Sequence, residues 1–114
     1  MARVRVVAGE VEITATLNDS DTASRLLEIL PAESSANLWG DEVYFSVPLE
    51  APEEDPQADV PAGTVAYWPP GRAVCLFFGQ KPYSPVNVIG KLDGDPNEFA
   101  KVESGDTVRL ESAD

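Results

Sequence analysis

The chain has 114 residues, 43% of them hydrophobic and 8% aromatic, which is enough for one domain with a real core and too apolar for a disordered segment. Twenty acids against eight bases give a net charge of −12, a field that repels phosphate backbones and anionic lipid surfaces, so neither nucleic acid nor membrane is an expected partner. With no histidine and one cysteine there is no internal disulfide, no Ser-His-Asp or Cys-His pair, and no imidazole or multi-cysteine zinc site.

No apolar run approaches the ~20 residues that span a bilayer. The opening Met1-Ala2-Arg3-Val4-Arg5-Val6-Val7 is too short and too alternating for a signal peptide. The chain therefore reads as soluble and cytoplasmic, a single domain over residues 1–114, and nothing in it sets an oligomeric state. The acidic field admits a cationic partner, although solubility is the plainer reading. Lysine occurs only at Lys81, Lys91 and Lys101, and many acids with few lysines resemble proteins of salt-loving organisms.

Residues 3–17 read as a β-hairpin. Val4 and Val6 alternate with Arg3 and Arg5, then Val11, Ile13, Ala15 and Leu17 alternate with Glu10, Glu12, Thr14 and Thr16, a period of two with one apolar face. Ala8-Gly9 is the expected two-residue turn, which would set Arg5 across from Glu12. Residues 20–30 read as a helix. Ala23, Leu26, Leu27 and Leu30 form one apolar stripe, Asp19 or Ser20 caps it, and Pro31 ends it. A strand follows at about 41–47, with Val43, Phe45 and Val47 on one face and Glu42, Tyr44 and Ser46 on the other.

Residues 48–63 carry Pro48, Pro52, Pro56 and Pro61 among five acids, and predict a long acidic loop, because each proline removes a ladder donor. Two strands at 64–68 and 72–78 flank the turn signal Pro69-Pro70-Gly71. The second is apolar on both faces, with Ala73, Cys75 and Phe77 one way and Val74, Leu76 and Phe78 the other, as in a sheet covered on both sides. Another strand spans 86–92. Asp95 caps a short helix that opens on Pro96, and a last strand lies at 107–111. About seven short strands and two helices favour a mainly β architecture, a small closed or nearly closed barrel with one longer and one short helix.

Four blocks carry a family resemblance: Trp39-Gly40-Asp41-Glu42-Val43-Tyr44-Phe45, Ala66-Tyr67-Trp68-Pro69-Pro70-Gly71, Cys75-Leu76-Phe77-Phe78-Gly79 and Ser84-Pro85-Val86-Asn87-Val88-Ile89-Gly90. Together and in this order they resemble the cyclophilin-like domain family typified by a Thermotoga protein of unknown function. The resemblance runs over nearly the whole chain. It implies a compact cyclophilin-type barrel, smaller than a true cyclophilin, and brings no established reaction with it. The segment Gly79-Gln80-Lys81-Pro82-Tyr83-Ser84 is shorter than the matching loop of many members.

Prolyl isomerisation needs an apolar groove for the proline ring and a cation donor near the imide nitrogen. Tyr67, Trp68, Phe77 and Phe78 could supply a groove, and Arg72 is the arginine beside them. The Phe-His-Arg pattern that carries the catalytic arginine of true cyclophilins is absent, and the plainer reading makes Phe77 and Phe78 core and Arg72 an exposed turn residue. Cys75 reads as a core thiol, with no base near it in sequence. Glu53-Glu54-Asp55 lacks a calcium-loop pattern and reads as a solvated charge run, so no metal and no cofactor are expected. Asp41-Glu42 is either a carboxylate pair at a cleft edge, acting as acid or base with a raised pKa, or a turn in which Asp41 accepts backbone N–H bonds. Asn87, on an apolar strand, must meet a polar partner, a loop backbone or a ligand.

Eight of the nine aromatic residues lie between Trp39 and Tyr83. Several flank Pro-Gly turns where rings stay partly open. The leading expectation is a binding module whose aromatic groove holds a peptide or small ligand, with Trp39, Asp41, Glu42, Tyr44, Tyr67, Trp68, Arg72, Phe78 and Asn87 as groove candidates. The alternative is an enzyme, a peptidyl-prolyl isomerase or an activity that uses Asp41, Glu42 or Arg72.

Overall fold

The computed structural model describes residues 2–79 and 84–113. Its strands are β1 (Arg3–Ala8), β2 (Val11–Leu17), β3 (Ala32–Ser35), β4 (Asn37–Leu38), β5 (Glu42–Ser46), β6 (Thr64–Trp68), β7 (Ala73–Phe77), β8 (Asn87–Leu92) and β9 (Thr107–Ser112); α1 is Asp21–Glu28. Among the described residues these nine strands form one sheet in the order β3-β9-β1-β2-β8-β6-β7-β5-β4. Every pairing is antiparallel. The sheet curls until its two ends meet at Ala36, which joins β3 to β4, and the result is the nearly closed barrel the strand pattern predicts. Ala36 N–H donates to the Asp106 carbonyl at 2.7 Å, and Gly105 N–H donates to the Ala36 carbonyl at 2.9 Å.

The first hairpin forms as its alternation dictates, with Val4, Val6, Ala8, Val11, Ile13, Ala15 and Leu17 all buried. Its turn lies one residue later than expected. Ala8 pairs with Val11 and Arg5 with Thr14, so Gly9-Glu10 makes the turn, with Gly9 at φ +58°. Glycine takes that angle without a Cβ penalty, whereas Ala8 continues the strand and buries its methyl. Arg5 still reaches Glu12 diagonally at 3.6 Å, and Glu111 on β9 at 2.9 Å. The exposed pair with Glu12 is worth little.

Two strands had no signal in the sequence. Ala32-Glu33-Ser34-Ser35 lacks β-branched or aromatic residues, yet it pairs with β9 because the barrel offers that edge. Asn37-Leu38 is held by its hairpin partner β5.

Helix α1 opens on Ser20, whose side chain accepts from Ala23 N–H, and presents Ala23 and Leu26 to the main core. The short helix at Pro96–Lys101 is a 3-10 helix capped by Asp95, and it buries Phe99 completely. That ring alone contributes about 1.5–3 kcal/mol. No helix among the described residues is long and apolar enough to cross a membrane.

The apolar interior has two parts. The main core fills the barrel and includes Phe45, Val65, Tyr67, Val74, Leu76, Ile89 and Phe99. A second cluster of Val60, Ala66, Cys75, Phe77 and Val86 lies on the other face of the β5-β7-β6-β8 part of the sheet, with Tyr44, Trp68 and Val88 packed against it. The double-faced β7 produces this arrangement: Val74 and Leu76 enter the barrel, while Ala73, Cys75 and Phe77 stay buried on the opposite face. The 48–63 loop contributes to both parts, with Leu49 and Ala51 in the main core and Val60 in the second cluster.

Candidate functional site

The second cluster stops short of covering its sheet, and the gap is a pocket of about 220 Å3 lined by Trp39, Glu42, Tyr44, Trp68, Cys75, Ser84 and Val86. Strand parity places most of these side chains. Glu42 and Tyr44 lie on the face of β5 opposite to Val43 and Phe45. Tyr44 pairs directly with Cys75, and Glu42 with Phe77, across the β5-β7 ladder. Trp68 ends β6 opposite Ala73.

Trp39 stands on the turn between β4 and β5. Gly40 takes φ +57° there, and Trp39 N–H donates to the Glu42 carbonyl at 3.1 Å. Trp39 is 43% exposed, one of two large hydrophobics that stay open among the described residues. Trp68 is fixed from two sides. Its indole Nε1–H donates to Ser84 Oγ, and its ring lies over Gly71, where a Cβ would come within 2.5 Å of Cε3. Gly71 is glycine because the indole occupies its side-chain space. Val86 is held by a two-way bridge to the loop: Gln57 N–H donates to its carbonyl at 2.8 Å, and its N–H donates to Gln57 at 3.0 Å.

Glu42 is 6% exposed and is the one acid among the described buried residues. Burial pushes its carboxyl above the ordinary value, and the neighbouring Cys75 thiol offsets part of that rise. The same contact acts on Cys75. Burial first, then the neighbouring Glu42 charge, push the thiol well above its ordinary value. Cys75 is thus held protonated, the opposite of an activated nucleophile. Glu42 has the character of a carboxyl that can hold or give up a proton inside a mostly apolar hollow. No group of three His, Cys, Asp or Glu side chains is placed to hold a metal among the described residues.

The structure brings Trp39, Glu42, Tyr44 and Trp68 together and places the other groove candidates elsewhere. Tyr67, adjacent to Trp68, points the opposite way into the barrel. It is wholly buried, its hydroxyl donates to the Leu49 carbonyl, and it accepts from Ala51 N–H at 3.3 Å. Arg72 sits at φ +48° after the Pro-Pro-Gly turn, 60% exposed, 3.5 Å from Glu50. Phe78 packs half-buried on the main core, and its N–H donates to the Asp41 carbonyl at 2.9 Å. The Asp41 carboxylate occupies the space a side chain at position 79 would need, against Gly79. Tyr83, expected among the partly open rings, and most of the short 79–84 segment lie outside the described residues.

Asn87 resolves in favour of the loop backbone. It is 1% exposed; its Oδ1 accepts from Glu54 N–H at 2.9 Å, and its Nδ2 donates to Pro52 O at 3.0 Å and Thr22 Oγ1 at 3.1 Å. Glu54, expected to be part of a solvated charge run, instead caps α1. Its carboxylate accepts from Asp21 N–H at 3.0 Å, Thr22 N–H at 2.8 Å and Thr22 Oγ1 at 2.7 Å, and these bonds hold its pKa below the ordinary value. Sequence reasoning did not name Cys75, Ser84 or Val86 as lining residues. The usable signal was parity, since Cys75 shares a face with Tyr44 once β5 and β7 are known to be neighbours.

A second depression of about 420 Å3 lies between β2, β8 and the loop, touching Asn18, Gln57, Asp59, Thr64 and Lys91. It is broad and shallow, and contains neither an aromatic ring nor a buried titratable group.

A family model described as cyclophilin-like matches residues 2–111. The solution structure of a hypothetical protein from Archaeoglobus fulgidus is similar at 35% identity and a TM-score of 0.83, covering 98% of this chain and 95% of that one. The structure of McbB in complex with tryptophan is similar at 19% identity and a TM-score of 0.69, a likeness of fold alone. It covers 96% of this chain, which spans 44% of that longer one. No curated protein matches the sequence.

Proposed function

This chain belongs to the cyclophilin-like family, and from that premise we propose that it is a binding module whose pocket at Trp39, Glu42, Tyr44 and Trp68 takes a small ligand or one side chain of an extended peptide. The observation that carries the reading is the convergence of three aromatic residues on one buried carboxyl, in a hollow the second apolar cluster leaves unfilled. A mostly apolar pocket with a few placed polar groups is the usual form of a small-molecule site. The volume of about 220 Å3 falls below the ~300 Å3 at which drug-sized sites begin, so the fit is to one ring or one compact head rather than a whole peptide.

Titration with proline-containing peptides, indole and tryptophan, the last being the ligand present in the McbB structure, tests the reading through tryptophan fluorescence and amide shifts. A ligand of the pocket moves Trp39, Trp68 and Cys75 together and loses affinity in Trp68→Ala. No localised response across such a panel would contradict the reading.

The raised pKa of Glu42 in a hollow favours a second reading, an enzyme that uses Glu42 as acid or base. Loss of a turnover in Glu42→Gln with binding retained would favour it over simple binding. The prolyl-isomerase form of that reading gains nothing from Arg72, whose exposed turn position provides no cation to the pocket. A coupled isomerase assay in which wild type, Arg72→Ala and buffer give equal rates would remove it.

A further inference from the structure

We propose that the ligand of this pocket is an organic cation, a methylated ammonium head seated among Trp39, Tyr44 and Trp68 with Glu42 as its counter-charge; the inference rests on the binding-module reading above. Aromatic faces carry negative potential, and a cation within ~6 Å of their centroids is attracted to them, most strongly at tryptophan. Two of the three rings here are tryptophan. Among the described residues the lining contains no lysine or arginine, and the Glu42 carboxyl shares the hollow with a weak thiol donor.

The alternatives fit less well. An anionic ligand would meet Glu42 at close range and a net charge of −12 at long range, the same field that draws cations in. A neutral apolar ligand would strip the remaining water from the Glu42 carboxylate and return no compensating charge. A primary ammonium has three N–H donors to satisfy. Among the described residues the side-chain oxygens of the lining are those of Glu42, Tyr44 and Ser84, and Ser84 already receives the Trp68 indole N–H. Methyl groups remove that demand, spread the charge, and pack against apolar walls. A hollow of about 220 Å3 has room for such a head and a short stem.

Choline and the neutral alcohol in which carbon replaces its nitrogen have the same shape and differ in charge. Each is titrated into the full chain, wild type and Glu42→Gln, with indole as an uncharged aromatic control. Indole N–H and Cys75 amide resonances are followed, and the fold of the variant is checked on its whole spectrum. We expect choline to shift the Trp39 and Trp68 signals and to bind about tenfold tighter than its isostere, ~1.4 kcal/mol, within reach of a desolvated cation–aromatic contact. In Glu42→Gln the preference should fall to roughly threefold or less.

Equal binding of the isostere at the same residues would overturn the cation inference while supporting the pocket. A response to indole alone would do the same. A choline preference that survives intact in Glu42→Gln would overturn the role of Glu42 as counter-charge. Silence of Trp39 and Trp68 to every probe would overturn this inference and the binding-module reading together.

Discussion

The Cys75 thiol and the Glu42 carboxyl face the same hollow from neighbouring strands β7 and β5, so the single cysteine of the chain and the one acid among its described buried residues share a pocket wall. Glu42 makes the thiol harder to ionise, whereas the thiol offsets part of the rise that burial imposes on Glu42. The pair gives the hollow a polar end whose charge depends on pH.

That dependence has a definite sign. Glu42 binds its proton more tightly in the fold than in the unfolded chain, so the fold is favoured while Glu42 is protonated and loses stability as pH rises from 4.5 through the raised value. Cys75, Tyr44 and Asp41 are the other titratable groups close to it on β5, β7 and the β4–β5 turn. Glu54, Asp93 and Glu111 have lowered values and act in the opposite direction, contributing stability that is lost as pH falls. Comparing Glu42→Gln with wild type by urea denaturation across pH 3.5–8 isolates Glu42. The variant should be the more stable at pH 7 and should lose that advantage below about pH 4.5. An advantage that grows on acidification would refute the assignment.

Asn87 ties three segments at once: the 48–63 loop, the start of α1 and β8. Asn87→Leu leaves Glu54 N–H, Pro52 O and Thr22 Oγ1 each short of a partner in a closed space. The expected loss is roughly 2–3 kcal/mol, together with faster hydrogen exchange at the Asp21, Thr22 and Glu54 amides. A loss under ~0.5 kcal/mol would mean that water replaces the side chain without cost.

Gly71→Ala should act on the pocket without touching it. The added methyl needs the space now held by the Trp68 ring, so the indole must swing away from Ser84. We expect a red-shifted Trp68 emission, a cost of about 1–3 kcal/mol, and weaker binding of any pocket ligand. Unchanged emission would show that the turn yields instead of the ring.

Exposed acids dominate the surface, and self-repulsion should ease as salt shortens the screening length from ~10 Å at 0.1 M to ~3 Å at 1 M. Circular dichroism melts are therefore expected to rise with sodium chloride up to molar concentration. A fold equally stable in dilute buffer would assign the charge to solubility alone.

Much of the barrel was legible in local pattern. The alternation of Val4 to Leu17 and the two-faced run Ala73–Phe77 predicted both strand position and burial. What stayed hidden depended on distant partners. Ala32–Ser35 is a strand only because β9 presents an edge, and Glu54 is a helix cap only because the loop returns to Asp21 and Thr22. The site was half legible for the same reason. Strand parity separates Tyr67 from Trp68 and groups Glu42 with Tyr44, but the Glu42–Cys75 contact joins residues far apart in sequence. Trp39, Glu42, Tyr44 and Trp68 are groove candidates that the pocket brings together; Arg72, a candidate by its adjacency to the aromatic block, serves the surface, and Asn87, a polar residue on an apolar strand, meets the loop backbone, one of the partners expected for it.

Mapping a fragment panel onto the two indole N–H resonances and the backbone amides tests the central claim most directly. Compact ring-bearing or ammonium-bearing fragments should shift Trp39, Trp68, Tyr44 and Cys75 together and leave Arg72 and Asn87 unmoved. Shifts that gather instead around Asn18 and Lys91 in the shallow depression, or that appear nowhere, would contradict the assignment of the Trp39–Glu42–Tyr44–Trp68 hollow as the working site of this protein.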